Sequence, residues 1–203
     1  MRLQKGQNPN HPPRGSRIKV EPIRTKKAIE VIKSSLRQNP RDLCLFTLGI
    51  NTAFRAGELL SIRVGQVRHL QVGDGLDLKQ SKTSTYRMVT LNRTAVEAIR
   101  YYFRQDQHLL AAEDDSYLFY SRFGDVLTVP SLTRKVKGWC ADIGLKGNYG
   151  SHTMRKTWGF WQYKRGKPIP LLMAAFGHAT QKQTLDYLCI QAEDVAELYD
   201  LEL

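Results

Sequence analysis

The sequence has 203 residues, 31 lysines and arginines against 19 acids, a formal net charge of +12 and 41% hydrophobic residues. That length can bury a full core and the composition excludes wholesale disorder. No run approaches about 18 apolar residues and the charged start has no apolar h-region, so neither a membrane span nor a signal peptide is read. Cys44, Cys140 and Cys189 are odd in number and far apart, giving no disulfide framework and no zinc spacing. A reducing, cytoplasmic setting fits that usage. The charge excess points to a polyanion as partner, against the plainer account of a solvated basic surface.

Residues 1–21 begin as a basic stretch, with Arg2, Lys5, Arg14, Arg17 and Lys19 interrupted by Pro9, Pro12 and Pro13. They read as a flexible arm or linker remnant. Thr25 is expected to cap a helix whose apolar positions Ala28, Ile29, Ile32 and Leu36 follow the helical period. Pro40 suits the first turn of a second helix, and 56–64 reads as a third. Three short strands are expected at 67–72, 76–80 and 87–91, turned by Gly73–Gly75 and Ser81–Thr85. Helices follow at about 93–111, 131–143, 152–164, 168–175, 180–188 and 192–201. The expected fold is thus α+β and mostly helical, one domain over 22–189 with a small three-stranded antiparallel sheet.

The segment 190–203 holds five acids and no base, so it carries −5 while the preceding residues carry +17. Val195, Leu198 and Leu201 at three-residue steps suit an amphipathic helix. Such a tail could dock on a basic surface, its own or a neighbour's, or simply pack in cis with its acids in water.

Several residues could carry chemistry, and each also has an ordinary reading. Ser151 is expected to cap a helix that begins with His152 and Arg155, whose spacing puts both on one face at an anion-favouring terminus. Arg55 and Glu58, three apart, could be a local helical ion pair. Lys82 sits in a turn, where exposed lysines are common. His178 follows a glycine, and Tyr187, nine residues later between Leu185 and Leu188, could be a core tyrosine.

In chain order, however, Arg55, Lys82, His152, Arg155, His178 and Tyr187 resemble the catalytic series of the tyrosine recombinase (phage integrase) family. The contexts resemble the family's as well: Thr52-Ala-Phe-Arg55-Ala-Gly-Glu58 its first-arginine box, Gln80-Ser-Lys82-Thr its hairpin lysine, His152-x-x-Arg155 its central motif, and Gly177-His178 with the step to Tyr187 its last. The likeness covers about residues 22 to 190. Ala53 stands where a glycine is usual, Lys156 where histidine is frequent, and Phe176 where the family has leucine. Most members also carry a separate core-binding domain; the resemblance therefore implies either a short member or a fragment.

The resemblance implies a site-specific recombinase that cuts and rejoins double-stranded DNA through a 3′-phosphotyrosyl intermediate. Tyr187 would be the nucleophile; a phenol with a reference pKa near 10 needs a base, and His152 is the candidate. Arg55 and Arg155 would clamp the non-bridging oxygens with fixed charge and forked donors, His178 adding a hydrogen bond. Lys82 would protonate the departing 5′-oxygen, and Glu58 would orient Arg55. No metal or ATP is expected: the sequence has no Gly-x4-Gly-Lys-Ser/Thr loop and no close carboxylate cluster. Arg134, Lys135, Lys137, Lys164, Arg165 and Lys167 are candidates for DNA-backbone contacts, and Trp158, Phe160, Trp161 and Tyr163 read mainly as packing residues. The family further implies a homotetramer on paired DNA sites, with accessory DNA-bending proteins as possible partners. Two alternatives stand beside this reading, a type IB topoisomerase and a non-catalytic DNA-binding accessory protein.

Overall fold

The computed structural model describes residues 19–79, 86–121, 123–190 and Tyr199. Its core is built on α2 (Pro40–Thr52), whose Cys44, Leu45, Phe46 and Leu48 are buried. The helix starts where Asn39 accepts from the Asp42 amide, with Pro40 in the first turn, and the Thr25 hydroxyl likewise caps α1 (Lys26–Ser35). Two helices sandwich α2: α5 (Arg93–Gln105) and α8 (Ser151–Lys164). Gly49 lets α8 come close, because a methyl there would lie 2.5 Å from Sδ of Met154. Short helices α3 (Ala56–Leu60) and α4 (Val64–Val67) follow α2, and α6 (Gln107–Ala111) and α7 (Val129–Asp142) follow α5.

The sheet has two strands among the described residues, β1 (Gly75–Lys79) and β2 (Tyr86–Thr90), antiparallel with Leu78 opposite Arg87. The expected strand at 67–72 is not formed. Val64 and Val67 are both buried from one helical turn, a three-residue spacing that a strand would place on opposite faces. Arg68 then continues that turn, bonding through its amide to the Val64 carbonyl, and its guanidinium is held by the Ala112 carbonyl and Asp114. The expected helix over 93–111 is two helices. Asp106 interrupts it by accepting from the amides of His108 and Leu109, which makes it the cap of a new helix. The expected 56–64 helix also divides: α3 ends at Leu60, and α4 starts after Arg63, whose amide donates to the Gln66 side chain at 2.8 Å. The expected helix at 192–201 lies outside the described residues apart from Tyr199.

A second, smaller apolar cluster sits beside the main core and carries the site. It is formed by Ala53, Leu172, Phe176 and Leu188, with Trp158, Tyr163 and Tyr187 packed on it. Here α8 meets α9 (Ile169–Phe176) and α10 (Gln181–Leu188). The close approach needs Gly159: a methyl on it would collide with Cζ of Phe176 and lie 3.0 Å from Leu188. Gly159→Ala is therefore expected to cost about 1–3 kcal/mol of stability, measured by chemical denaturation, because Phe176 is fully buried and cannot swing out. No described helix is long and apolar enough to cross a membrane.

Candidate active site

Arg55, His152, Arg155, His178 and Tyr187 are each placed by a helix end. α8 opens at Gly150 rather than at the expected cap Ser151: the Gly150 amide donates to the Thr153 hydroxyl at 3.0 Å, and the Gly150 carbonyl accepts from the Thr153 amide. Ser151 is thereby the first helical residue, and His152 and Arg155 still leave from the first turn. Arg55 precedes α3, and the Glu58 carboxylate reaches back to its amide at 2.7 Å. Gly177, at φ +65°, ends α9 in the left-handed conformation, and the amide of His178 donates to the Met173 carbonyl at 3.0 Å. Thr180 caps α10, which delivers Tyr187 from its last turn.

These ends converge. The Tyr187 hydroxyl lies 3.4 Å from Nδ1 of His152, and its ring lies against Phe176 and His178, with centroids 5.0 and 5.1 Å away. Burial pushes the Tyr187 phenol above its ordinary pKa, although the charge of Arg155, a hydrogen bond from it and the charge of Arg55 pull the other way. The phenol therefore keeps its proton at neutral pH until a base takes it. His152 is exposed, with one side open to the cleft of about 600 Å³ that it lines with Lys156, Lys182 and Tyr187.

Arg55 donates to Glu58 at 2.8 Å and to the Phe176 carbonyl at 3.3 Å. Arg155, 3% exposed, donates to the same Phe176 carbonyl at 2.7 Å and to the Ala53 carbonyl. Burial lowers its pKa to about 10, countered in part by Tyr187, so the guanidinium stays charged at neutrality. Ala53 is itself in the left-handed region at φ +55°, which explains why glycine would suit that position; two arginines hold its carbonyl there. Glu58 is buried, and burial alone pushes its carboxyl up. The hydrogen bonds from Arg55 and the charges of Arg87 and Arg55 outweigh this, so it lies below its ordinary value and is ionised.

His178 is uncharged at neutral pH: burial, then the charges of Arg155, Arg55 and Lys156, lower its pKa to about 4. Its Nδ1 lies 3.0 Å from the hydroxyl of Thr184, which is fully buried. We assign that hydroxyl as the donor to Nδ1, which puts the ring proton on Nε2, where it can donate a hydrogen bond. Thr184→Val is expected to turn a single Nε2–H tautomer of His178 into a mixture, read by ¹⁵N NMR of the imidazole at pH 7. An unchanged tautomer in that variant would remove Thr184 from the account.

The other expected residues fall elsewhere. Lys82 lies outside the described residues. Arg134 and Lys137 are exposed on α7, whereas Lys135 is engaged by the buried Asp42 at 2.8 Å. Lys164, Arg165 and Lys167 are exposed at the far end of α8 and just beyond; twelve residues at about 1.5 Å each put Lys164 about 18 Å along the axis from His152. Lys164 and Arg165 line a larger groove of about 1180 Å³, which contains none of Arg55, His152, Arg155, His178 or Tyr187. The aromatic residues after Arg155 pack: Phe160 is buried and the indole of Trp161 donates to the Ile23 carbonyl.

Three side chains at the site were given no role from sequence, although Lys156 was noted as standing where histidine is frequent. Arg87 donates to Glu58 and to the carbonyls of Ala53 and Ala175 at 3.0, 2.9 and 3.1 Å. Lys156 is buried with Nζ 3.1 Å from Sγ of Cys189 and 4.6 Å from the centre of the Tyr187 ring. Thr184 is the third. Only the position of Lys156, next to Arg155, gave a signal in advance. Among the described residues no group of three or more His, Cys, Asp or Glu could hold a metal ion.

Comparison with known proteins places this geometry. The sequence profile of the phage integrase family matches residues 22–193. The chain is 31% identical over 182 residues to the probable integrase/recombinase YoeC of Bacillus subtilis (strain 168), covering 89% of this chain and 95% of that protein. It is 25% identical over 147 residues to the tyrosine recombinase XerC of Chlamydia caviae, covering 72% of this chain and 46% of XerC. The fold is similar to that of the XerH site-specific recombinase bound to palindromic difH substrate in a post-cleavage complex, with a TM-score of 0.73 and 21% identity over 92% of this chain and 54% of that one. The chain thus spans nearly all of YoeC and about half of XerC and XerH. With a family profile matching most of its length, and that family's fold around Tyr187, the chain belongs to the tyrosine recombinase (phage integrase) family.

Proposed function

We propose that this chain is the catalytic part of a site-specific DNA recombinase, acting on double-stranded DNA in the cytoplasm through a covalent tyrosine intermediate. The observation that carries the reading is the Tyr187 hydroxyl beside His152, on a cluster that also gathers Arg55, Arg155 and His178. In the forward step Tyr187 Oη attacks the scissile phosphorus and its proton passes to His152. The bond from phosphorus to the 5′-oxygen breaks, and that oxygen takes a proton from Lys82. The product is a 3′-phosphotyrosyl link and a 5′-hydroxyl; attack by another 5′-hydroxyl reverses the step. A phosphodiester is exchanged for a phosphodiester of similar energy, so the reading needs neither ATP nor a metal ion.

Charge grows on the non-bridging oxygens in the transition state, where Arg55 and Arg155 meet it with permanent charge and His178 with its Nε2–H. We take residues 22–189 as the catalytic unit, with 1–21 as an arm along DNA and 190–203 as an acidic segment for contacts between subunits of a homotetramer. Arg134, Lys137, Lys164, Arg165 and Lys167 would then hold phosphates away from the cleft. The Tn1549 transposon integrase, similar in fold with a TM-score of 0.62, is in complex with circular intermediate DNA, and this supports DNA as the polyanion here.

The test is covalent capture from a pool of nicked duplexes with randomised sequence, in EDTA and without ATP. The wild type is expected to yield denaturant-resistant complexes attached to the 3′ side of the break. Relaxation of supercoiled DNA with no sequence preference among captured duplexes would favour the topoisomerase reading, and sequence-selective binding without capture the accessory one.

A further inference from the structure

Three guanidiniums and three acceptors alternate around a closed loop behind Tyr187. Arg55 donates to Glu58 and to the Phe176 carbonyl, Arg155 to the Phe176 and Ala53 carbonyls, and Arg87 to Ala53 and Glu58. Each acceptor is thus shared by two arginines. Arg87 closes the loop, and a further bond to the Ala175 carbonyl anchors it to the end of α9. Its side chain is 12% exposed and lies over the Phe54 ring at 5.0 Å.

A buried arginine at this strand position is costly. Burial lowers its pKa, and the charge of Arg55 adds to the effect against the help of Glu58. An apolar residue would fill the space more cheaply if packing were all that mattered. Arg87 lines the larger groove behind the site rather than the cleft of His152 and Tyr187, so it does not face the reacting phosphate. Its reach is through its partners. Without it, Glu58 would balance only Arg55, and the Ala53 carbonyl, in its strained left-handed residue, would be held only by Arg155. Three cations and one carboxylate also leave a net charge of +2 in the loop, matching the dianionic character that a phosphodiester gains in its five-coordinate transition state.

We propose that Arg87 is a positioning residue for the recombination chemistry: it fixes Glu58 and the Ala53 carbonyl so that Arg55 and Arg155 hold the spacing that grips both non-bridging oxygens. This rests on the phosphotyrosyl reading of the cleft. Arg87 also ties the strand that begins just after residues 80–85, five positions beyond Lys82, to the same frame.

The experiment uses the full chain and a nicked duplex captured from the randomised pool by the wild type. Arg87→Gln and Arg87→Lys are compared with wild type in single-turnover cleavage at saturating DNA, DNA affinity and thermal midpoint. Arg87→Gln is expected to slow cleavage about 10²-fold, the scale of a misplacement of about 1 Å, with Kd within about twofold. Arg87→Lys, whose ammonium can keep Glu58 but not both carbonyls, is expected about tenfold below wild type. Replacing the scissile phosphate by a methylphosphonate removes one of the charges that the arginines meet, so both deficits are expected to shrink to a few-fold. Equal deficits on the two substrates, or a loss confined to Kd, would make Arg87 merely structural and overturn the proposal. A wild-type rate in folded Arg87→Gln would do the same. If Arg87→Gln does not fold, Arg87→Lys decides alone, and a wild-type rate on the phosphate substrate overturns it. Failure of the wild type to form any adduct strikes the functional reading itself and this role with it; wild-type cleavage with an unimpaired Arg87 variant strikes only this role.

Discussion

Tyr187→Phe is expected to bind duplex DNA within about twofold of wild type and to form no covalent adduct at all. The substitution keeps the ring that packs on Phe176 and His178 and the face that meets the Lys156 ammonium, so the small cluster beneath it stays filled. What it removes is the hydroxyl beside His152. The lost hydrogen bonds, one with His152 and one from Arg155, should together cost about 1–3 kcal/mol of stability, measured by urea titration. An effect on the adduct so much larger than the effect on folding separates the nucleophile from a core tyrosine.

Arg155→Lys carries the second large effect. Arg155 serves two carbonyls from a buried position and also reaches the Tyr187 hydroxyl, which no single ammonium can reproduce. Cleavage of the nicked duplex is expected to fall about 10²- to 10³-fold, the range for one lost electrostatic contact in a transition state. Losing one charge-assisted hydrogen bond, to a carbonyl that keeps its other arginine, should cost about 1.5–3 kcal/mol in the same titration. A variant that lost stability but cleaved at the wild-type rate per folded molecule would mean that Arg155 only holds α2 and α9 together.

The helices and the order of the candidate residues were legible because both are local. Thr25 announces its helix through a bond to the amide three residues on, Pro40 marks the first turn of the next, and periodic apolar positions do the rest. The strand expected at 67–72 was misread because valines at 64, 67 and 72 suit a strand by propensity, whereas the burial of Val64 and Val67, three apart, follows the helical period. Asp106 was equally invisible as a break, since its capping bonds compete with an apolar pattern that runs straight through it. Arg87 could not be read in advance: its partners lie 29, 34 and 88 residues away, and a basic residue in a short strand looks like solvent-facing decoration. The pairing of Lys135 was equally unreadable, since its partner Asp42 is 93 residues distant. Sequence reasoning therefore named Glu58, three residues from its partner Arg55, among the groups that hold the site still, and missed Arg87, whose partners are distant.

In the proposed mechanism a single atom, Oη of Tyr187, joins protein to DNA. The measurement that tests it most directly is peptide mapping by mass spectrometry of the trapped wild-type complex after nuclease and protease digestion. The predicted result is a residual nucleotide on the peptide that contains Tyr187, linked through a 3′-phosphate. A nucleotide on any other residue, or a link through a 5′-phosphate, would contradict it.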